Sequence, residues 1–268
     1  MAATAQRPLN VNWLPVVLPA ALLALWWAAT LRSPDGLIPQ PQQVAQEFVD
    51  FAGLAGHNDS FSGTLWPNLL ASAERVFGGF LLSAVLALPL GLMIGQLPIF
   101  RRMLDSTLQV LRPVPVTAWQ PLFLILFGLG SKTALFLVTL GCFYPILLNT
   151  VLGVRSVEGR LLEAAAMLGV SRSAIFPKVV LPAALPGIFT GLRLGLGFAW
   201  VVIVVGEMSG VRTGLGAMIT DAREVSRTDV VIVGMITIGL AGFFSDQAVQ
   251  ALSRRILRWS PRHAGADR

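Results

Sequence analysis

Long apolar runs broken by short polar segments set the pattern of this 268-residue chain. A helix crosses a hydrocarbon core in about 20 residues, and six segments meet or approach that length: 13–31, 76–97, 117–129, 133–154, 187–205 and 230–251. The third is short. Arg112, Pro113 and Pro115 precede it, and proline removes a helical N–H and restricts the residue before it, so a late start after a break at the inner membrane edge is expected. The first run exceeds the roughly 7–15 apolar residues of a secretory signal and has aromatic residues near both ends, which reads as an uncleaved span.

The polar connections carry their own periodicity. Val44, Phe48 and Phe51, spaced four and three apart, predict a short surface helix in the first connection. The Gly-rich connection 206–229 turns helix-like from about Leu215. The stretch EAAAMLGVSRSAIFPKVVLPAALPG, 163–187, differs from both. Leu161, Ala164, Ala165 and Leu168 fall on one helical face that is apolar but thin. Gly169 suits a left-handed helix end, Ser171 a cap for a second helical piece, and Pro182 its stop. Such a hairpin fits a lipid surface or the close approach of another protein. Glu163, read as the opening acid of the first helix, either stabilises the macrodipole by about 0.3–1 kcal/mol or faces a partner.

Charge decides which side each connection lies on. The chain is 54% hydrophobic and only 13% charged, about half the charge of an average soluble domain. A net charge of +6 with two Lys and scattered Arg makes no basic patch for nucleic acid. With the N-terminus inside, Arg7, Arg101, Arg102, Arg112, Arg155, Arg160, Arg172, Lys178, Arg254, Arg255, Arg258, Arg262 and Arg268 face the cytoplasm. Arg32, Lys132, Arg212, Arg223 and Arg227 face outward. Thirteen against five is a positive-inside bias, and it makes both termini and the hairpin cytoplasmic.

Little in the chain looks catalytic. Cys142 lies alone in an apolar run, and His57 and His263 are far apart, so neither a disulfide framework nor a Cys/His metal cluster is encoded. Around Lys132, GLGSKT lacks the Gly before Lys and the preceding strand of a phosphate-binding loop. Nucleophile elbow, paired carboxylates and zinc helix are missing as well. A non-catalytic chain with no cofactor is expected, and any energised work would draw on a separate subunit.

Glu163, Ala164 and Ala165, then Gly169, then nine residues to Val179, Leu181 and Pro182 resemble the EAA signature of permease subunits in binding-protein-dependent ABC importers, with Val179 in place of Ile. The likeness runs from about Trp66 to Trp259. LRPVPVTAWQPLFLILFGLG (111–130), GLRLGLGFAW (191–200) and SRTDVVIVGMITIGLAGFFSD (226–246) look like the branch that imports nitrate, taurine, aliphatic sulfonates or bicarbonate. The resemblance implies an all-α polytopic type I ABC importer permease fold of about six transmembrane helices in a bacterial cytoplasmic membrane. It places an N-terminal helix and extracytoplasmic connection at 1–65, the transmembrane core at 66–260 with its EAA loop at 155–186, and a cytoplasmic tail at 261–268. It also implies an ATP-binding ABC subunit, an extracytoplasmic binding protein and a homodimer as partners. Glu163, Ala164, Ala165 and Gly169 would form the coupling helix that docks on the ATPase.

Four more residues are candidates for the translocation path or gate. Arg193 sits six residues into the fifth span, where it either snorkels or pairs structurally, or meets an anion. Trp119 and Gln120 line an inner vestibule or form an interfacial belt with a capped amide. Glu207 is a solvated span end, or a gate or binding-protein contact. Gly187, Gly191 and Gly195, joined by Gly197, form a small-residue face for helix packing, with pore lining as the alternative. Glu74 and Arg75 mark the outer start of the second span and are assigned no chemistry. A secondary transporter or channel would show an inverted repeat and membrane-embedded paired acids, and neither is visible. An importer of an unrelated small organic substrate is the other alternative.

Overall fold

The computed structural model describes residues 14–31, 36, 38–56 and 59–259. Trp13, Arg7, Arg32, Arg262, Arg268, His57, His263 and the tail 261–268 lie outside the described residues. The described elements are helical: α1 (Leu14–Thr30), α2 (Pro41–Phe51), α3 (Leu65–Gln96), α4 (Pro98–Leu111), a 3-10 turn (Val116–Trp119), α5 (Gln120–Phe127), α6 (Ser131–Arg155), α7 (Gly159–Met167), α8 (Arg172–Ile175), a π turn (Phe176–Val180), α9 (Leu181–Glu207), α10 (Leu215–Glu224) and α11 (Thr228–Ile256). The all-α membrane architecture is as expected, and both surface helices form where the periodicity placed them.

The six predicted spans resolve differently. Four helical segments, 65–96, 131–155, 172–207 and 228–256, are long and apolar enough to cross a membrane. A fifth crossing results if α4 and the segment Val116–Phe127, bent 91° from each other, are counted together. Among the described residues the first helix has 17 residues, below the roughly 20 a full crossing takes. The second span begins at Leu65 rather than 76. Polar residues Asn68, Ser72, Glu74 and Arg75 within 68–75 obscured its start in the sequence, because Ser72 and Arg75 are buried against protein rather than exposed to lipid.

Helices α3, α6 and α9 form the centre, around Val138, Cys142, Ile146, Leu147, Leu196 and Ile203. Glycine permits the contact. A Cβ on Gly187 would stand 2.7 Å from the Gly153 Cα, and one on Gly191 or Gly195 would meet the side chains of Asn149 or Ile146 at 2.8 or 2.9 Å. Backbones this close let dispersion contacts and weak C–H···O contacts accumulate where lipid supplies no hydrophobic drive. Gly197 has nothing within 4 Å and is not part of that face.

The hairpin departs from expectation at two points. Pro182 does not stop the second helix: residues 172–207 run as one 36-residue helical segment. The π turn accommodates the break in hydrogen bonding. Leu181 donates to the Phe176 carbonyl five residues back, shifting the ladder just where Pro177 and Pro182 have no N–H to give. Nor does Glu163 open the first helix, which starts at Gly159 after Glu158. That leaves Glu163 beyond the first turn, where the macrodipole has fallen off.

Candidate functional site

At one end of the bundle the hairpin projects from the α6–α9 connection. Ala165 is buried, while Leu161, Met167 and Leu168 are exposed, the last two at 88% and 84%. Glu163 and Ala164 are exposed beside them. Gly169 ends the helix at φ +76, with nothing within 4 Å of a Cβ there. The N–H of Val170 bonds to the Ala165 carbonyl at 3.1 Å and that of Gly169 to Ala166 at 3.0 Å, a left-handed cap that uses up helix-end carbonyls. Of the predicted apolar face, Ala165 packs inward and Leu161 and Leu168 point away from the chain.

The opposite end is organised by a buried carboxylate. Glu207, 1% exposed, is not the solvated span end that one sequence reading allowed. Arg75 Nη1 donates to its Oε1 at 2.6 Å and to the Thr213 carbonyl at 2.8 Å, and Arg75 Nε donates to Ser131 Oγ at 3.1 Å. Ser72 Oγ lies 2.8 Å from both Glu207 oxygens and accepts from the Leu215 N–H at 2.8 Å. The Gly216 N–H donates to Glu207 Oε2 at 2.8 Å, and the Gly214 N–H to Asn68 Oδ1 at 2.9 Å. Arg75, assigned no chemistry from the sequence, is thus the counter-ion of a carboxylate 132 positions away. A signal was present. Asn68, Ser72 and Arg75 are spaced four and three apart, a polar stripe on one helical face in otherwise apolar surroundings.

The other path candidates fall elsewhere. Trp119 and Gln120 stand at the Glu207 end, not in a vestibule at the hairpin end: the Gln120 amide donates to Ser209 Oγ and reaches the Val205 carbonyl at 3.5 Å. The capped-amide reading describes Gln120. Trp119 joins Phe123, Phe127 and Phe136 in a ring cluster, Phe127 stacking on Phe136 at 4.2 Å. Arg193 pairs with Asp246 of α11 through two parallel bonds of 2.8 and 2.7 Å, the fork geometry that makes Arg–carboxylate pairs strong. Sequence reading missed Asp246 because 53 positions separate the partners.

Beyond Glu207, Arg227 gathers Glu47 of α2 at 3.0 Å, Asp229 at 3.0 Å, and Asp59. The hydrogen bond from Arg227 holds the Asp59 carboxyl below its ordinary range, burial pushes Glu47 up, and hydrogen bonding to Asp229 and Asp59 keeps Arg227 charged. Among the described residues no cluster of three or more His, Cys, Asp or Glu could hold a metal ion.

A large apolar-helix bundle with one projecting hairpin and a polar knot at the other end narrows the choice of family. The family model of the binding-protein-dependent transport system inner membrane component matches residues 87–258, more than half of the chain and all of the hairpin. The chain belongs to that family. This permease is 38% identical over 242 residues to the taurine transport system permease protein of Escherichia coli, covering 90% of the chain and 87% of the relative. It is 34% identical over 238 residues to the nitrate import permease protein of Leptolyngbya laminosa, covering 88% and 84%. Its fold resembles the MetNI methionine ABC transporter in an inward-facing conformation, with a TM-score of 0.56 and 21% identity over 70% of this chain and 95% of that one. The permease is therefore a multi-pass membrane protein and a transport subunit. Membership of the family implies an ATPase and a substrate-binding protein as partners.

Proposed function

We propose that this permease imports a small oxyanion, a sulfonate such as taurine, nitrate or bicarbonate, as a pair of identical copies with two ATP-hydrolysing subunits and an external binding protein. The hairpin then lies in the cytoplasm and docks on the ATPase. The carrying observation is α7 itself. A free helix that exposes Met167 and Leu168 almost completely beside Glu163, with its exit direction set by Gly169, has the anchors of a helix-in-groove contact. The relatives named for taurine, a sulfonate, and nitrate, an oxyanion, support the substrate class. Arg193 is matched by Asp246, which supports a clamp between α9 and α11 rather than a charge left free for a passing anion. Non-catalytic status follows from the transport role.

The test is co-purification and uptake. The tagged permease, expressed with its ATPase and binding protein, should retain the ATPase, and Glu163→Arg or Gly169→Asp should lose it along with ATP-driven uptake. Uptake of labelled taurine, nitrate, methanesulfonate and bicarbonate then ranks the substrates. Unaltered association and uptake in both variants would refute the docking role, and uptake by the permease alone, driven by an ion gradient, would refute the importer reading.

A further inference from the structure

Helix α10 begins with no cap of its own side chains. The first N–H groups of a helix have no partner within it and are usually satisfied by the residue just before it. Here those of Gly214, Leu215 and Gly216 go instead to Asn68, Ser72 and Glu207, two side chains of α3 and one of α9. A Cβ on Gly214 would come within 2.4 Å of the Glu207 carboxyl carbon, and one on Gly216 within 2.7 Å of the Val204 carbonyl. The joint therefore tolerates glycine alone at its two closest approaches. Gly214 also has φ +148, which side chains rarely adopt.

Glu207 closes the same 36-residue segment whose other end, at Arg172, leaves the coupling hairpin. At about 1.5 Å per residue this segment is about 54 Å long, more than the bilayer core is thick. No described break interrupts it between the π turn and Glu207. Past the π turn, α9 therefore links the hairpin end to the carboxylate that holds α10 as one continuous helix.

We infer that Glu207 is a positioning residue of the transport cycle: by capping α10 from α9, with Arg75 and Ser72 as its supports, it makes α3, α9 and α10 move as one body at the outer face when the hairpin is displaced. The inference rests on the permease reading above. A buried ion pair that served stability alone would not need to cap a separate helix. The acceptors spent on α10 come from two helices, α3 and α9, so losing the cap frees α10 while the α3–α6 packing of Gly79 on Val138 and of Gly91 on Thr150 stays in place.

The experiment uses the whole transporter, permease with ATPase and binding protein, in vesicles. With Cys142 replaced by Ser, a single cysteine at Asp221, exposed on α10, is reacted from outside with a membrane-impermeant maleimide. Rates are compared without nucleotide and after trapping with ATP and vanadate. In the parent the two rates should differ. In Glu207→Ala they should converge, and uptake per ATP hydrolysed should drop about tenfold, in line with a lost helix cap, while hydrolysis continues. Glu207→Gln keeps an acceptor for Gly216 and should fall between them. Should Glu207→Ala fail to fold by gel filtration, Asn68→Ala, which removes the Gly214 bond along with a local bond from the Asn68 amide to the Thr64 carbonyl, replaces it. State-dependent labelling and parental uptake per ATP in a folded Glu207→Ala or Asn68→Ala protein would overturn the inference. No ATP-driven uptake in the parent would instead overturn the permease reading on which it stands.

Discussion

Replacing Arg75 by Met tests how much the polar knot at the Glu207 end contributes to stability. The pair is buried on both sides, with side-chain exposures of 10% and 0% and a separation of 2.6 Å. The change deletes the bonds to Glu207, Thr213 and Ser131 and leaves a carboxylate supported by Ser72 and Gly216 alone. Breaking a buried pair from one side costs about 3–5 kcal/mol, because the remaining charge loses its partner without regaining water. In a Glu207→Gln background that charge is already gone, so Arg75→Met should cost less by about 1.5–3 kcal/mol, the range for hydrogen bonds with a charged member. Equilibrium unfolding of the four proteins in mixed micelles of rising SDS content, followed by tryptophan fluorescence, gives both values. A cost below about 1 kcal/mol for Arg75→Met, the scale of a surface ion pair, or a cycle that closes additively would refute the assignment.

Three further outcomes follow from other parts of the structure. Gly214→Ala combines a left-handed backbone with a 2.4 Å clash and should destabilise by roughly 2–5 kcal/mol, whereas Gly169→Ala, with open space around it, should cost only about 1–2 kcal/mol; the same SDS titration separates them. Asp59 is held below the ordinary carboxylate range by Arg227, so its contribution is full above the unfolded pKa and is lost as pH falls through the lowered folded one. Glu47, raised by burial, has the opposite sign and loses stability as pH rises through its raised value, so Asp59→Asn should flatten only the acid limb of Tm against pH, and an unaltered limb would count against the pairing. Finally, Arg193→Met with Asp246→Leu removes both charges of the α9–α11 clamp and should keep most uptake, while either single change leaves a charge unmatched and loses it; a folded double variant without uptake would place Arg193 on the anion path.

Much of this architecture was written in local patterns. Apolar runs of membrane length, the surface helices at Val44–Phe51 and Leu215, and the hairpin with Gly169 at its turn are decided within a few residues of chain, by periodicity, charge bias and backbone preference. The EAA spacing was legible for the same reason, since its residues share one short segment. Other features were local but were misread from the pattern alone. Pro182 looked like a stop because the π turn that absorbs it depends on the helix continuing into α9. Arg75 looked like an outer span boundary because Glu74, the acid beside it in sequence, does not face it on a helix and so cannot answer its charge.

What tertiary structure alone decided is which distant groups meet. Glu207 with Arg75 and Ser72, Arg193 with Asp246, and Gln120 with Ser209 are each separated by 53 to 135 positions, and no periodicity links residues on different helices. The first of these meetings follows from how α3, α6 and α9 approach across glycine faces, and the others from how α11 and α5 pack on α9 and its end. A buried charge must find a partner inside the protein. The sequence by itself determined that the chain would be a helical membrane subunit with a hairpin between two of its spans. Only the packing of its helices determined that a carboxylate at the far end of the hairpin's own helix would hold the start of another.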